Sequence, residues 1–206
     1  MKALIIVDVQ NDFLPGGALP VPKGDEIVPL ANELQKEFEL IVATQDWHPA
    51  NHGSFAANHP GKEPGDRIIL DGLEQILWPV HCVQNTRGAE FALLLNTKPI
   101  ARVFQKGTDP KIDSYSAFFD NAHRRATGLG DYLKKNAVTD VYLCGLALDY
   151  CVKFSALDAR QLGFGTNVIV DACRGIELEP GDVNLALDEM KRSGATILET
   201  GNLRPE

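Results

Sequence analysis

The 206-residue chain suits one domain, and two would each fall near the lower end of the usual size range. At this length roughly 70% of the unfolded chain's surface can be buried without disulfide or metal staples. Apolar residues make up 44% and charged residues 23%, which excludes disorder as the main state. Twenty basic against 28 acidic residues give a net charge of −8. That balance disfavours nucleic acid and membrane surfaces as partners, because their phosphates would be repelled, but it leaves small charged ligands open.

Met1 to Val9 holds one lysine and a five-residue apolar run ending at Asp8. That is too short for a signal peptide and reads as a buried strand. No apolar run approaches the ~20 residues that span a bilayer. Cys82, Cys144, Cys151 and Cys173 form no CxxC pair and no zinc-finger spacing, which points to reduced thiols in a cytoplasmic protein.

Short apolar runs rich in β-branched residues predict strands at Ala3–Val7, Leu40–Thr44, Pro99–Phe104, Val138–Cys144, Thr166–Val170 and Thr196–Leu198. They show little alternation, as expected of parallel strands covered on both faces. Between them, Ile27, Leu30, Ala31, Leu34 and Phe38 stripe a helix over Gly24–Phe38, and another is predicted over Gly130–Asn136. A third runs from Cys151 to Gln161 and stops at Gly163; a fourth carries Val183, Ala186, Leu187 and Met190 and stops at Gly194. The pattern predicts an α/β fold, one domain over 1–206, with a mostly parallel six-stranded sheet and helices on both faces. From Asp46 to Gly88 it breaks into a long loop rich in proline, glycine and histidine, and such loops are usually functional.

Ligands of open parallel sheets bind beyond the carboxyl ends of the strands. The predicted ends bring there Asp8, Asp46-Trp47-His48, Lys106-Gly107 and the segment Gly145 to Cys151. Two readings fit Cys151: a small buried hydrophobe, or a thiolate favoured by the first turn of a helix. Asp8 either caps its own turn through Asn11 and Asp12 or serves as a general base. Lys106 is either an exposed lysine before a turn or the partner that holds Asp8. Asp46 and His48, two apart on an extended segment, face the same way, and with His81 they offer three ligands of a catalytic metal site. Histidines in loops are also common without a metal. His52 and His59 have no comparable pairing, and His123 reads as solvated. The sequence contains no dinucleotide fingerprint, Walker A motif or Gly-x-Ser-x-Gly elbow.

Five segments together carry a family resemblance: Ile6-Val7-Asp8-Val9-Gln10-Asn11-Asp12-Phe13, Thr44-Gln45-Asp46-Trp47-His48-Pro49, Trp78-Pro79-Val80-His81-Cys82-Val83, Phe104-Gln105-Lys106-Gly107, and Cys144-Gly145-Leu146-Ala147-Leu148-Asp149-Tyr150-Cys151-Val152. In this order they resemble the bacterial nicotinamidase/pyrazinamidase branch of the isochorismatase-like cysteine hydrolase superfamily, with its Rossmann-like three-layer fold. The resemblance implies Cys151 as nucleophile, Asp8 as general base and acid, and Lys106 as the group that orients Asp8. It implies one divalent ion, zinc first and iron or manganese next, on Asp46, His48 and His81 and against the pyridine nitrogen of nicotinamide. Phe13 and Trp78 would sandwich the ring, with Tyr115 nearby. The Leu146–Ala147 peptide would be cis, Leu146 and Ala147 would contact substrate, and the N–H groups of Ala147 and Cys151 would form an oxyanion hole. Some members carry a further histidine after Asp-x-His; here only His52 lies near, and waters would otherwise complete the coordination.

The implied activity is hydrolysis of nicotinamide, and of pyrazinamide, in NAD salvage by a monomer or small homo-oligomer. Rival readings are attack by a metal-bound hydroxide with Cys151 merely structural, or a carbamoyl or ureido substrate. The metal triad weighs against the latter, whose relatives look metal-free. An isochorismatase-type vinyl ether hydrolase would not need Cys151. A non-catalytic binder of metal or pyridine is the reading from outside enzymology.

Overall fold

Lys2–Val7 is apolar on both sides of its pleat and forms β1, buried from Ala3 onward. Leu40–Asp46 forms β2, buried along its whole length. A computed structural model describes residues 1–203 and pairs these two strands within a six-stranded parallel sheet. Arg67–Leu70 and Leu73–Ile76 are β3 and β4, a separate antiparallel pair. The sheet is completed by β5 at Arg102–Lys106, β6 at Asp140–Leu146, β7 at Gly165–Arg174 and β8 at Thr196–Leu198, in the order β5-β2-β1-β6-β7-β8.

Among the described residues four α-helices connect these strands: α1 Ile27–Leu34, α2 Leu129–Lys135, α3 Lys153–Gln161 and α4 Asp182–Arg192. Crossovers between parallel strands are right-handed, so the connections that run outward in opposite directions from β1 and β6 cover opposite faces. The predicted helix over Gly24–Phe38 divides into α1 and a 3₁₀ turn at each end, as helix termini commonly tighten. The predicted stops hold: Phe164 N–H bonds Ala159 O and Ala195 N–H bonds Met190 O, closing α3 and α4 around Gly163 and Gly194. No helix among the described residues is long and apolar enough to cross a membrane.

β2, β5 and β6 run two residues further than their apolar runs predict, and β7 four. β2 and β5 continue pairing to Asp46↔Lys106, so these two are the last residues of strands and not the first of loops. For β2 and β5 the reason lies in the pair itself, since directly opposite carboxylate and ammonium groups favour extending the ladder.

The stretch from Asp46 to Gly88 is not without regular structure. It contains the β3–β4 hairpin, turned at Asp71-Gly72 with φ of 46° and 87°. Two consecutive left-handed residues make a type I′ turn, and Asp-Gly between apolar residues is its usual signature. The hairpin carries Gln75 inward onto Asp113 and Tyr115.

Candidate active site

β1 and β6 lie side by side, and the sheet order reverses between them, which opens a crevice past their C-terminal ends. Asp8 stands at the end of β1, and Cys151 sits in a wide π-type turn, Leu148–Val152, that leads from β6 into α3. Lys106 arrives from the end of β5. Its Nζ is 2.9 Å from Asp8 Oδ2, 2.9 Å from Ser114 O and 3.5 Å from Cys151 Sγ, and it also bonds Asp46 Oδ1. Asp8 is 0% exposed, Lys106 2% and Cys151 6%, so all three groups lie in low dielectric.

Asp8 does not cap its own turn with its side chain. Its Oδ1 accepts the Thr44 hydroxyl at 2.6 Å, and its Oδ2 pairs with Lys106 Nζ at 2.9 Å. Burial raises the Asp8 carboxyl above the ordinary aspartate range, against the pull of Lys106. Burial also pushes the Cys151 thiol well up, again with Lys106 pulling back and both carboxylates adding to the rise. Burial alone would depress Lys106, yet Asp46 and Asp8 outweigh it and keep the ammonium charged. The arrangement is therefore a neutral thiol beside a carboxylate made more basic than usual, with a fixed cation between them.

The candidate metal residues converge next to this group. His48 extends past β2 and bridges Val83, its N–H on Cys82 O and its carbonyl under Gln84 N–H. That extended path keeps Asp46 and His48 on one side. His48 Nδ1 donates to Gly107 O at 2.8 Å and His81 Nδ1 to Pro79 O at 2.7 Å. Each ring therefore presents Nε2, at 3.5 and 3.8 Å from Asp46 Oδ2. Carbonyl-pinned imidazoles aimed at a buried carboxylate are the donor set of a divalent ion, and burial holds His81 neutral, down to about 4. His81 comes from the loop that begins at Trp78-Pro79, after β4. Ligand-type atoms of Asp46, His48 and His81 lie within 4.8 Å of one another, and a second, overlapping set is His48, His52 and Asp113. The His52 ring lies 4.4 Å from that of His48, and its buried Nε2 has no hydrogen-bond partner.

The cavity beside Cys151 is walled by Phe13, Trp78, Tyr115 and Ala147 together with Asp46 and His81. Trp78 Nε1 donates to the Tyr115 hydroxyl at 3.1 Å, which fixes both rings. The Leu146–Ala147 peptide is cis. The Leu146 side chain is fully buried and approaches Gly24, within the core behind the cavity. Leu19, Asp113, Tyr150 and Ile176 also line this cavity and escape a reading of the sequence. Thr44 escapes it as well, because a threonine inside a strand carries no local sign of its partner. His59 bonds Gly53 O, and His123, read as solvated, is exposed but paired with Asp158 at 3.1 Å. All four cysteines are free and buried.

A parallel α/β sheet with thiol, carboxylate and ammonium at its switch point, beside three residues that could hold a metal ion, has the layout of a hydrolase site. The chain belongs to the isochorismatase family: the model of the Isochorismatase domain matches residues 2–201. It is 54% identical to the nicotinamidase of Escherichia coli (strain K12), over 95% of this chain and 93% of that one. Among solved structures it is similar to the Acinetobacter baumanii nicotinamidase/pyrazinamidase, with 48% identity, 98% of each chain covered and a TM-score of 0.96. It is also similar to the pyrazinamidase of Pyrococcus horikoshii, solved in complex with zinc, with 43% identity, coverage of 96% and 98% and a TM-score of 0.78.

Proposed function

We propose that this chain hydrolyses nicotinamide, and pyrazinamide with it, to the carboxylic acid and ammonia, with Cys151 as the attacking group. The observation that carries the reading is Lys106 Nζ standing 2.9 Å from Asp8 and 3.5 Å from Cys151 Sγ, behind a cavity lined by Cys151 together with Asp46 and His81. The E. coli relative named as a nicotinamidase supports the substrate class, and a yeast nicotinamidase similar to this chain, 39% identical with a TM-score of 0.91, was solved with the inhibitor nicotinaldehyde.

Asp8 takes the thiol proton and the thiolate adds to the carboxamide carbon, placing a negative charge on the carbonyl oxygen. The N–H groups of Ala147 and Cys151 are the donors assigned to that oxyanion; one such donor is typically worth about 3–4 kcal/mol. Asp8 returns its proton to the nitrogen, because amide ion is too basic to leave, and ammonia departs from a Cys151 thioester. Asp8 then deprotonates a water that attacks the thioester carbon, and the sulfur regains its proton as the acid leaves. Throughout, Lys106 keeps Asp8 in place and stays charged. Phe13 and Trp78 stack on the ring and Tyr115 closes its edge. Asp46, His48 and His81 would hold one divalent ion, zinc in the first instance and iron or manganese otherwise. When bound, the ion supplies an anchor for the pyridine nitrogen and withdraws charge from the ring. Nicotinate produced this way feeds NAD salvage in the cytoplasm.

Ammonia release from nicotinamide by the purified protein tests the activity, and an acyl adduct on Cys151 seen by intact mass spectrometry tests the covalent route. Turnover in Cys151→Ala near the wild-type rate would instead favour direct attack by a hydroxide.

A further inference from the structure

The segment that follows β1 carries Asp8, beside Lys106, at one end and Phe13, in the cavity wall, at the other. Two residues between them, Gln10 and Asp12, touch neither the sulfur nor the cavity.

Gln10 is fully buried. Its Nε2 donates to Asp46 O at 2.9 Å and to Ala89 O at 2.8 Å, and its Oε1 accepts the Asp46 N–H at 2.8 Å. A primary amide thus grips both polar groups of one peptide position and uses both of its N–H bonds. The need arises from the sheet. β1 pairs with β2 only as far as Ile6↔Ala43 and ends at Val7, so the flank of Asp46 toward β1 has no strand to bond. A buried backbone group without a partner is unfavourable, and Gln10 stands where the next residue of a strand would.

Asp12 does the same for another ligand. Its Oδ2 accepts the Cys82 N–H at 2.7 Å, in the peptide that follows His81. Cys82 has a φ of 46°, a conformation that L residues rarely adopt. Gly88 lies flat against the Asp12 carboxylate, where a Cβ would collide with it.

We propose that Gln10 and Asp12 are positioning residues of the ion cage: one fastens the peptide of Asp46 and the other the peptide after His81. The segment that presents the base thereby sets the spacing of two ligands. The inference rests on the reading of Asp46, His48 and His81 as a metal site.

The experiment is a zinc titration of chelator-stripped protein against a chromogenic chelator, with melting of the stripped protein followed alongside. Gln10→Ala and Asp12→Ala should each weaken zinc binding at least tenfold, within the roughly 10–100-fold range of partners that orient ligands. Asp12→Asn, which keeps an acceptor oxygen, should stay within about threefold of wild type. The control is Gln45→Ala, which removes a buried amide from the same Ala89 carbonyl without touching the Asp46 peptide. Its zinc affinity should not change even if it melts earlier. Equal weakening by Gln45→Ala overturns the inference, as do variants that all bind like wild type. If Gln10→Ala does not fold, Asp12→Ala against Asp12→Asn decides alone, and equal affinities overturn it. A wild-type chain that takes up no zinc would overturn the metal reading itself, and this inference with it.

Discussion

The Thr44 hydroxyl donates a 2.6 Å hydrogen bond to Asp8 Oδ1 and accepts the Asp8 N–H at 3.2 Å, locking the carboxylate from a neighbouring strand. This bond stabilises the charged form, and it opposes the burial that raises the Asp8 pKa. The free-enzyme profile of kcat/KM reports the base, so activity is present above the Asp8 pKa and lost as pH falls through it. Removing the hydroxyl with Thr44→Val should raise that pKa further and move the acid limb toward neutrality. A hydrogen bond to a charged group is worth about 1.5–3 kcal/mol, so the shift should be about one to two pH units. A pH profile of ammonia release measures it, and an unmoved acid limb would remove Asp8 from the role of base.

Lys106 is paired with two buried carboxylates at once. Truncating it in Lys106→Ala leaves Asp8 and Asp46 facing each other with no cation between them. Breaking a buried ion pair by deleting one partner costs about 3–5 kcal/mol, and the penalty should appear as an earlier melting transition. Protonation of the stranded carboxylates relieves the repulsion, so the stability deficit should shrink toward acid pH. A deficit independent of pH would mean that packing, not charge, is what Lys106 provides.

Gly107 has a φ of 63° and its Cα faces the His48 ring. A methyl group there would strike the imidazole whose Nδ1 is bonded to the Gly107 carbonyl. Gly107→Ala should therefore displace His48 and lower both zinc content and nicotinamide affinity by about tenfold or more, as losses of ligand orientation do. Chelation of wild-type protein should produce the same loss of nicotinamide binding in calorimetry. Undiminished binding in the stripped protein would count against anchoring of the ring nitrogen.

The four thiols should separate by reactivity. Burial pushes Cys173 up to about 12 and holds Cys82 and Cys144 well above the usual thiol range. Cys151 is raised by burial too, but it alone lines the cavity and has Asp8 and Lys106 beside it. Iodoacetamide at neutral pH should add once, at Cys151, and abolish turnover, while Asp8→Asn should slow the labelling. Peptide mapping that found the adduct on another cysteine in the native protein would contradict the assignment.

Much of the architecture was legible in residue order because it depends on local chemistry. Unbroken apolar runs such as Ala3–Val7 are what a strand covered on both faces requires, and glycines past helical stripes mark where helices end. The β3–β4 hairpin had a signal too, Asp71-Gly72 between Leu70 and Leu73, but its strands lack clean alternation and sit among prolines that read as loop. The ends of β2 and β5 were not legible, since Asp46 and Lys106 extend their strands by pairing with each other across 60 residues of sequence. Asp113 is a similar case: its place in the cavity depends on Gln75 and the Ser114 N–H, contacts that no spacing announces.

By itself the sequence determined which side chains were available to react, since residue type fixes what a thiol, a carboxylate or an imidazole can do, and it determined the order of strands and helices that carries them. Only the tertiary structure decided that Lys106 stands among Asp8, Asp46 and Cys151, that Thr44 holds the Asp8 carboxylate, and that carbonyls of Gly107 and Pro79 turn two imidazoles toward one carboxylate. Those relations depend on distance and burial, which set charge states and which arise only when segments far apart in the chain close over a shared core.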